Sequence, residues 1–326
     1  MRVLVSAGES GRTNGEVARA LGLCVRQVQR LKKVLKEEGP AGLAHGNRGS
    51  IPKHALMPET VASVVELYET KYQGFNFTHF TEKLVEIEGI QINRSSVRRV
   101  LISAGHGSPK KRRAPKHRSR RDRRACEGAM VQLDGSPHDW LEGRGPWMCL
   151  LGAIDDATGK VLGAVFREHE DAHGYFLLMR QIVMKHGIPE TVYRDRHGIF
   201  EKDSKEPTDI WEDPYGRAPT QFGRLMEELG IRPIPANSPQ AKGRIERLWN
   251  TSQDRLVSEL RLAGACTIEE ADQVLGTMIV DHNRRFARKP GDPKSVYRRM
   301  ETGKNYDPVF CFKYPPGCSK GQYRSL

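Results

Sequence analysis

The sequence predicts an α/β protein in which a mixed five-stranded sheet flanked by helices follows two all-α helix-turn-helix units. Three observations carry this. Apolar residues recur at helical spacing, in short stretches, from about residue 10 to 108. A run dominated by Lys and Arg then interrupts the chain at 109–125. Beyond it, strand-like and helix-like stretches alternate to about residue 300, the pattern of a sheet packed against helices.

The first unit, residues 10–50, centres on TNGEVARALGLCVRQVQRLKKVLKEEG. Thr13 or Asn14 can cap a helix with Glu16 close behind, and Val17, Ala18 and Leu21 form its apolar stripe. A turn at Leu21-Gly22-Leu23 leads to a second helix that should bury Val25, Val28, Leu31 and Leu35. Its other face carries Arg26, Gln27, Gln29, Arg30 and Lys33. In a helix-turn-helix the second helix enters the major groove, where Arg and Gln suit guanine and adenine edges. An ordinary helical hairpin with a solvated basic face is the alternative.

Residues 55–108 repeat the theme. PETVASVVELYETKY predicts one amphipathic helix, residues 79–88 a second ending at Gly89, and a third is capped by Asn93 or Ser95. The third should bury Val97, Val100 and Leu101 and expose Arg94, Arg98 and Arg99. Then comes the linker PKKRRAPKHRSRRDRRA, with ten Lys or Arg, one Asp, two Pro and no large apolar side chain. Such a segment cannot bury enough surface to offset its ordering entropy and should be disordered in isolation.

Residues 126–300 read as one domain. AMVQLDGS, MCLLGAIDD and KVLGAVFRE are three strands, the second apolar throughout like a strand buried on both faces. Asp155 to Lys160 has hairpin-turn chemistry. DAHGYFLLMRQIVMKHG is a helix closed by Gly187, and PETVYRDRHGIF a fourth strand ending near Asp195. TQFGRLMEELG is a helix and IRPIPA a short fifth strand. SPQAKGRIERLWNTSQDRLVSELRL is a long helix, expected to be capped by Ser238 with Pro239 at its first position. The acidic, Pro-rich stretch 200–219 reads as a loop at the rim of the site.

The order β-β-β-α-β-α-β-α is that of the RNase H-like fold. It would set Asp134 on the central first strand, Asp195 at the end of an adjacent fourth strand, and Glu246 on the helix crossing the same edge. Three carboxylates converging on two Mg²⁺ ions are what two-metal phosphodiester chemistry needs. Asp155 and Asp156 read instead as hairpin-turn residues, and Asp139 lies too far along the chain from Asp134. Each of the three acids also has a plain alternative, as a turn, loop or surface-helix residue. Around Glu246, Lys242 and Arg247 are candidate phosphate contacts or a solvated helix face, and His197 a candidate neighbour of the phosphate.

LDGSPHDW, YRDRHGIF and NSPQAKGRIERLWNTSQDRL together resemble the three acidic signatures of the retroviral-integrase-like (DDE) catalytic core of bacterial transposases. With DDATGK between strands and HNRRFARKP after the last helix, the chain is similar to the ISNCY group of insertion-sequence transposases over roughly residues 10–312. The resemblance implies a polynucleotidyl transferase with Asp134, Asp195 and Glu246 as catalytic metal ligands. It implies Mg²⁺, with Mn²⁺ as a substitute, and double-stranded DNA (element ends and target) as partner of a homo-oligomer. Terminal inverted repeats would be bound and DNA strands cut and joined. The alternative is an inactive or truncated relic that acts only as a sequence-specific DNA-binding protein. Members of the group continue past a CFK-like strand into a β-rich domain, whereas here residues 301–326 lose apolar alternation at Pro315-Pro316-Gly317 and read as a truncated tail.

The formal net charge of +13 fits a polyanionic partner, because bound Lys and Arg release counterions from phosphates. No apolar run is long enough for a membrane span and none resembles a signal peptide, so a cytoplasmic, nucleoid-associated protein of bacterial type is expected. The six cysteines form no C-x-x-C pair and read as reduced thiols rather than zinc ligands.

Overall fold

In the computed structural model, residues 12–43, 55–109, 121–195, 197–200, 220–236, 242–301, 303 and 305–313 are described. Thr13 opens the first helix, α1 (Asn14–Leu21), through a capping box with Glu16. Gly22, at φ 65°, ends it in the left-handed conformation. The second helix, α2 (Val25–Gly42), is broken at Gly39, whose φ of 68° and ψ of −165° no helix accommodates. Val17, Ala18 and Val28 form the small core, with Leu21, Leu31 and Leu35 packed around it. Val25, expected inside, is 45% exposed, because it is the first residue of α2 and lies beyond the reach of α1. Arg26, Gln27, Gln29, Arg30 and Lys33 are all exposed.

The chain divides into two compact units, Met1–Val61 and Ala62–Leu326. In the second, α3 (Pro58–Thr70), α4 (Phe77–Glu86) and α5 (Arg94–Ser103) enclose Tyr68, Tyr72, Phe75, Phe77 and Phe80 in edge-on and tilted ring contacts. Asn93 is the cap of α5, accepting from Ser96 N, and Arg94, Arg98 and Arg99 are exposed.

From Ala62 on these helices belong to the same unit as the sheet, and ion pairs join α4 to its helices α8 (Ile245–Leu262) and α9 (Ile268–Phe286). Arg255 grips Glu82 with two hydrogen bonds of 2.6 and 2.9 Å. Glu259 receives His79 at 2.6 Å and Lys83 at 2.8 Å, and Arg285 reaches Glu86.

The sheet comprises β1 (Val131–His138), β2 (Met148–Asp155), β3 (Val161–Arg167), β4 (Thr191–Arg194) and β5 (Arg232–Pro235), in the order β3-β2-β1-β4-β5. β1 runs antiparallel to β2 and parallel to β4, and β4 parallel to β5. This is the expected mixed, RNase H-like sheet. Every residue of β2 is buried, as its unbroken apolar run demands. One face packs on α6 (Ala172–His186) and α7 (Gln221–Leu229), the other on α8 and α9.

Several expectations are revised or sharpened. Helix α8 begins at Ile245, behind a turn at 242–244, while Ser238 and Pro239 lie outside the described residues. Asp155 and Asp156 do sit at the hairpin turn as expected, but both are fully buried. Asp155 accepts from Gly128 N, Thr158 N and the Thr158 hydroxyl, so its carboxylate stitches the hairpin from inside. Residues 305–313, patternless in sequence, cover α6 and α7: Phe310 and Cys311 are buried, and Arg224 and Gln221 donate to the carbonyls of Cys311 and Lys313. The stretch 201–219 and residues 110–120 and 314–326 lie outside the described residues. Among those described, no helix is long and apolar enough to cross a membrane, and the five cysteines are free thiols.

Two stability measurements follow. Arg255→Ala strands Glu82 beside α8 with only the longer Arg285 contact of 3.4 Å, and should cost about 2–3 kcal/mol in denaturant unfolding. His282 is buried, and desolvation aided by Arg255 depresses its pKa from 6.5 to about 4 despite Asp281. The unfolded chain therefore takes up this proton first as pH falls. The contribution of neutral His282, complete above pH 6.5, should be lost between 6.5 and about 4, amounting to about 3 kcal/mol. Unfolding of His282→Gln across that window should show a correspondingly flatter pH dependence.

Candidate active site

The parallel pairing of β1 with β4 sets Gln132 opposite Tyr193. Two residues further along each strand are Asp134 and Asp195, so the register carries both carboxylates to the same level. They meet at one cation. Lys242, buried in the turn before α8, places Nζ 2.6 Å from Asp134 Oδ1 and 3.2 Å from Asp195 Oδ2. Burial works against the charge on Lys242, but Asp134 and then Asp195 outweigh it and hold the pKa above the usual lysine value. Lys242 is thus turned inward onto the acids rather than outward along the helix face.

Asp134 is oriented further by Trp249, whose indole Nε1 donates to Oδ2 at 2.8 Å. Trp249 reaches it with the edge of its indole ring against β2 at Gly152, the residue paired with Asp134 across the sheet. Any Cβ at Gly152 would fall 2.6 Å from the indole ring. On the β4 side, the backbone N of His197 donates to Asp195 Oδ1 at 3.1 Å.

Glu246 is in the first turn of α8, three residues before Trp249 and therefore on the helix face that meets Asp134. It is not drawn into a cluster: among the described residues no group of three His, Cys, Asp or Glu lies close enough to hold a metal ion. The chemistry of the pair nevertheless fits a hard divalent ion. Two carboxylates oppose one another across a single positive charge, and the Lys242 ammonium stands where such an ion would neutralise them. Arg247 is exposed on α8.

One acid near the site escaped sequence reasoning. Glu170, between β3 and α6, lies against Gly135, where a Cβ would fall 2.7 Å from its Oε2. It accepts the Tyr175 hydroxyl at 2.5 Å. Burial first, then Glu170, Asp134 and Asp195, drive the Tyr175 pKa well above its usual value, which keeps the hydroxyl a donor. The run Glu168-His169-Glu170-Asp171 ahead of a helix was the available signal, but it is equally the ordinary acidic start of a helix.

Gly152→Ala tests how Asp134 is held. The methyl group must displace the indole, which should cost about 1–3 kcal/mol and alter the near-UV circular dichroism of Trp249. Retention of the wild-type melting temperature and spectrum would contradict the packing.

Residues 4–50 match the helix-turn-helix domain family. The chain is 35% identical over 300 residues to the putative transposase y4bF of Sinorhizobium fredii, with 92% of this chain and 64% of that protein covered. It is 32% identical over 322 residues to the transposase for insertion sequence IS1202 of Streptococcus pneumoniae, covering 88% of this chain and 68% of the relative. It thus spans about two thirds of the length of these relatives. Among solved structures it is similar to a simian T-cell lymphotropic virus intasome chain in complex with PP2A regulatory subunit B56 gamma, at 13% identity and TM-score 0.39, covering 80% of this chain and 87% of that one. The HTLV-2 integrase catalytic core domain in complex with magnesium gives 14% identity and TM-score 0.34, covering 47% and 85%. On the extent of its identity to these curated relatives, the chain belongs to the insertion-sequence transposases.

Proposed function

We propose that the chain is a DDE-type DNA transposase that binds the terminal inverted repeats of its element and performs divalent-metal-dependent strand cleavage and strand transfer. The observation that carries the reading is the pair Asp134 and Asp195, brought level by the β1–β4 register and opposed across one cation. Asp134 and Asp195 would hold the metal, with Glu246 as the third carboxylate. Bound Mg²⁺, or Mn²⁺, would supply Lewis acidity and a lowered pKa for water or a 3′-hydroxyl.

The protein's own part is positional. Trp249 fixes the rotamer of Asp134, and the His197 backbone fixes that of Asp195. Lys242 offsets one of the two negative charges, so they cost less to keep together. Site reading would fall to the exposed row Arg26, Gln27, Gln29, Arg30 and Lys33 of α2, with Arg94, Arg98 and Arg99 of α5 as a second row. Two such rows would together read more sequence than one helix can.

Asp134→Asn is the direct test. It removes one charge and little volume, so strand transfer into a target plasmid in Mg²⁺ should fall by more than about 100-fold while binding to the element's ends is retained. A wild-type protein inert in both Mg²⁺ and Mn²⁺, yet binding those ends, would make the chain a DNA-binding relic instead.

A further inference from the structure

Asp156, fully buried just past the end of β2, is surrounded by more positive charge than one carboxylate can balance. Its Oδ1 accepts from Arg121 Nη2 at 2.5 Å, Gln132 Nε2 at 2.7 Å and Arg244 Nη1 at 2.8 Å. Its Oδ2 accepts from the backbone N of Arg124 at 2.9 Å. Arg123 donates to the carbonyls of Asp156 and Ala157, and Arg244 Nη2 to the carbonyl of Arg121. Two more arginines arrive without touching the carboxylate. Arg288 is held by its backbone N on Thr158 O at 2.9 Å, and Arg247 follows Arg244 by one turn.

Burial pushes the carboxyl pKa of the neighbouring Asp155 up even against three hydrogen bonds. The crowding registers on the arginines: Arg123 is pulled below its usual pKa by burial, then by Arg288 and Arg247. Arg244 is also pulled down by burial, with Arg121, Arg123 and Arg247 adding to the effect against Asp156. Its Nε is buried without an acceptor among the described residues.

A lone anchor for the preceding linker would need one arginine on Asp156. Here five arginines gather around Asp156, two of them bonded to its carboxylate, and Arg121, Arg123, Arg247 and Arg288 are exposed. We infer that this arginine cluster binds the phosphodiester backbone of duplex DNA. Asp156 pre-organises the guanidinium forks of Arg121 and Arg244, so less side-chain entropy is lost when phosphates arrive. The site lies along β2 about 13 Å from the level of Asp134, so DNA held there passes beside the carboxylate pair. It rests on the reading of the chain as a DNA-handling protein, but not on catalysis. Arg247 was a candidate phosphate contact from the sequence, and Arg121 and Arg123 belong to its basic linker.

The test is binding of a fluorescein-labelled random-sequence duplex by the whole chain in EDTA, by anisotropy over a salt series. Arg247→Gln/Arg288→Gln removes two exposed charges from the cluster. Lys185→Gln/Arg232→Gln removes two exposed charges elsewhere on the same unit. The cluster pair should reduce the slope of log affinity against log salt by about 2, with affinity near 0.1 M salt falling roughly 10-fold. The control pair should change the slope by less than about 0.5. Melting temperatures confirm that both variants fold. An unchanged slope, or equal changes in both variants, would overturn the site. A normal cluster effect in a protein inert towards strand transfer would sink only the catalytic reading.

Discussion

Parallel pairing between β1 and β4 is the constraint on which the rest of the molecule turns. Parallel neighbours cannot be joined by a tight turn, so the chain must leave the sheet, and here it does so through β2, β3 and α6 before returning. That excursion buries β2 on both faces and supplies the surface on which Trp249 lies. Two aspartates about sixty residues apart then arrive at one level. Lys242 closes the arrangement from the α8 side, and the net electrostatic cost of two adjacent carboxylates is offset by one buried ammonium.

The sheet was legible because strand periodicity and turn chemistry are local signals. β2 announced its burial in eight residues, and the placement of β4 beside β1 followed from topology. The helix caps at Thr13 and Asn93 were legible for the same reason. What the sequence left open depends on pairings distant along the chain. Nothing local distinguishes Asp156 in a hairpin from a solvated turn aspartate; its burial comes from Arg121 and Arg244, one in a linker and the other before α8. The last residues of that linker escape the disorder their composition argues for because a buried carboxylate receives them.

The site was legible in part. Asp134 and Asp195 could be placed from strand ends alone, whereas the seat of Lys242 could not, since a lysine before an amphipathic helix reads as a solvated charge. The start of α8 at Ile245 is a related case. Helix-forming residues precede it, but tertiary ion pairing of Lys242 and Arg244 takes those side chains to two different carboxylates. Glu246 is placed by α8 and not by the strands, and among the described residues no three such side chains come close enough to hold a metal ion.

Helix α8 does two jobs along its length. Its first turns face Asp134, while Asp254, Arg255 and Glu259 hold α4 through Asn76, Glu82, His79 and Lys83. Because α4 packs against α5, the exposed arginines of α5 are tied to the acids by a rigid rod of 18 residues, about 27 Å long, and not by a tether. A tether sets an average concentration of one site around another; a rod sets a distance. The spacing between any contact made by α5 and the aspartate pair is therefore a built-in ruler. Its divisions are fixed by the ion pairs along α8.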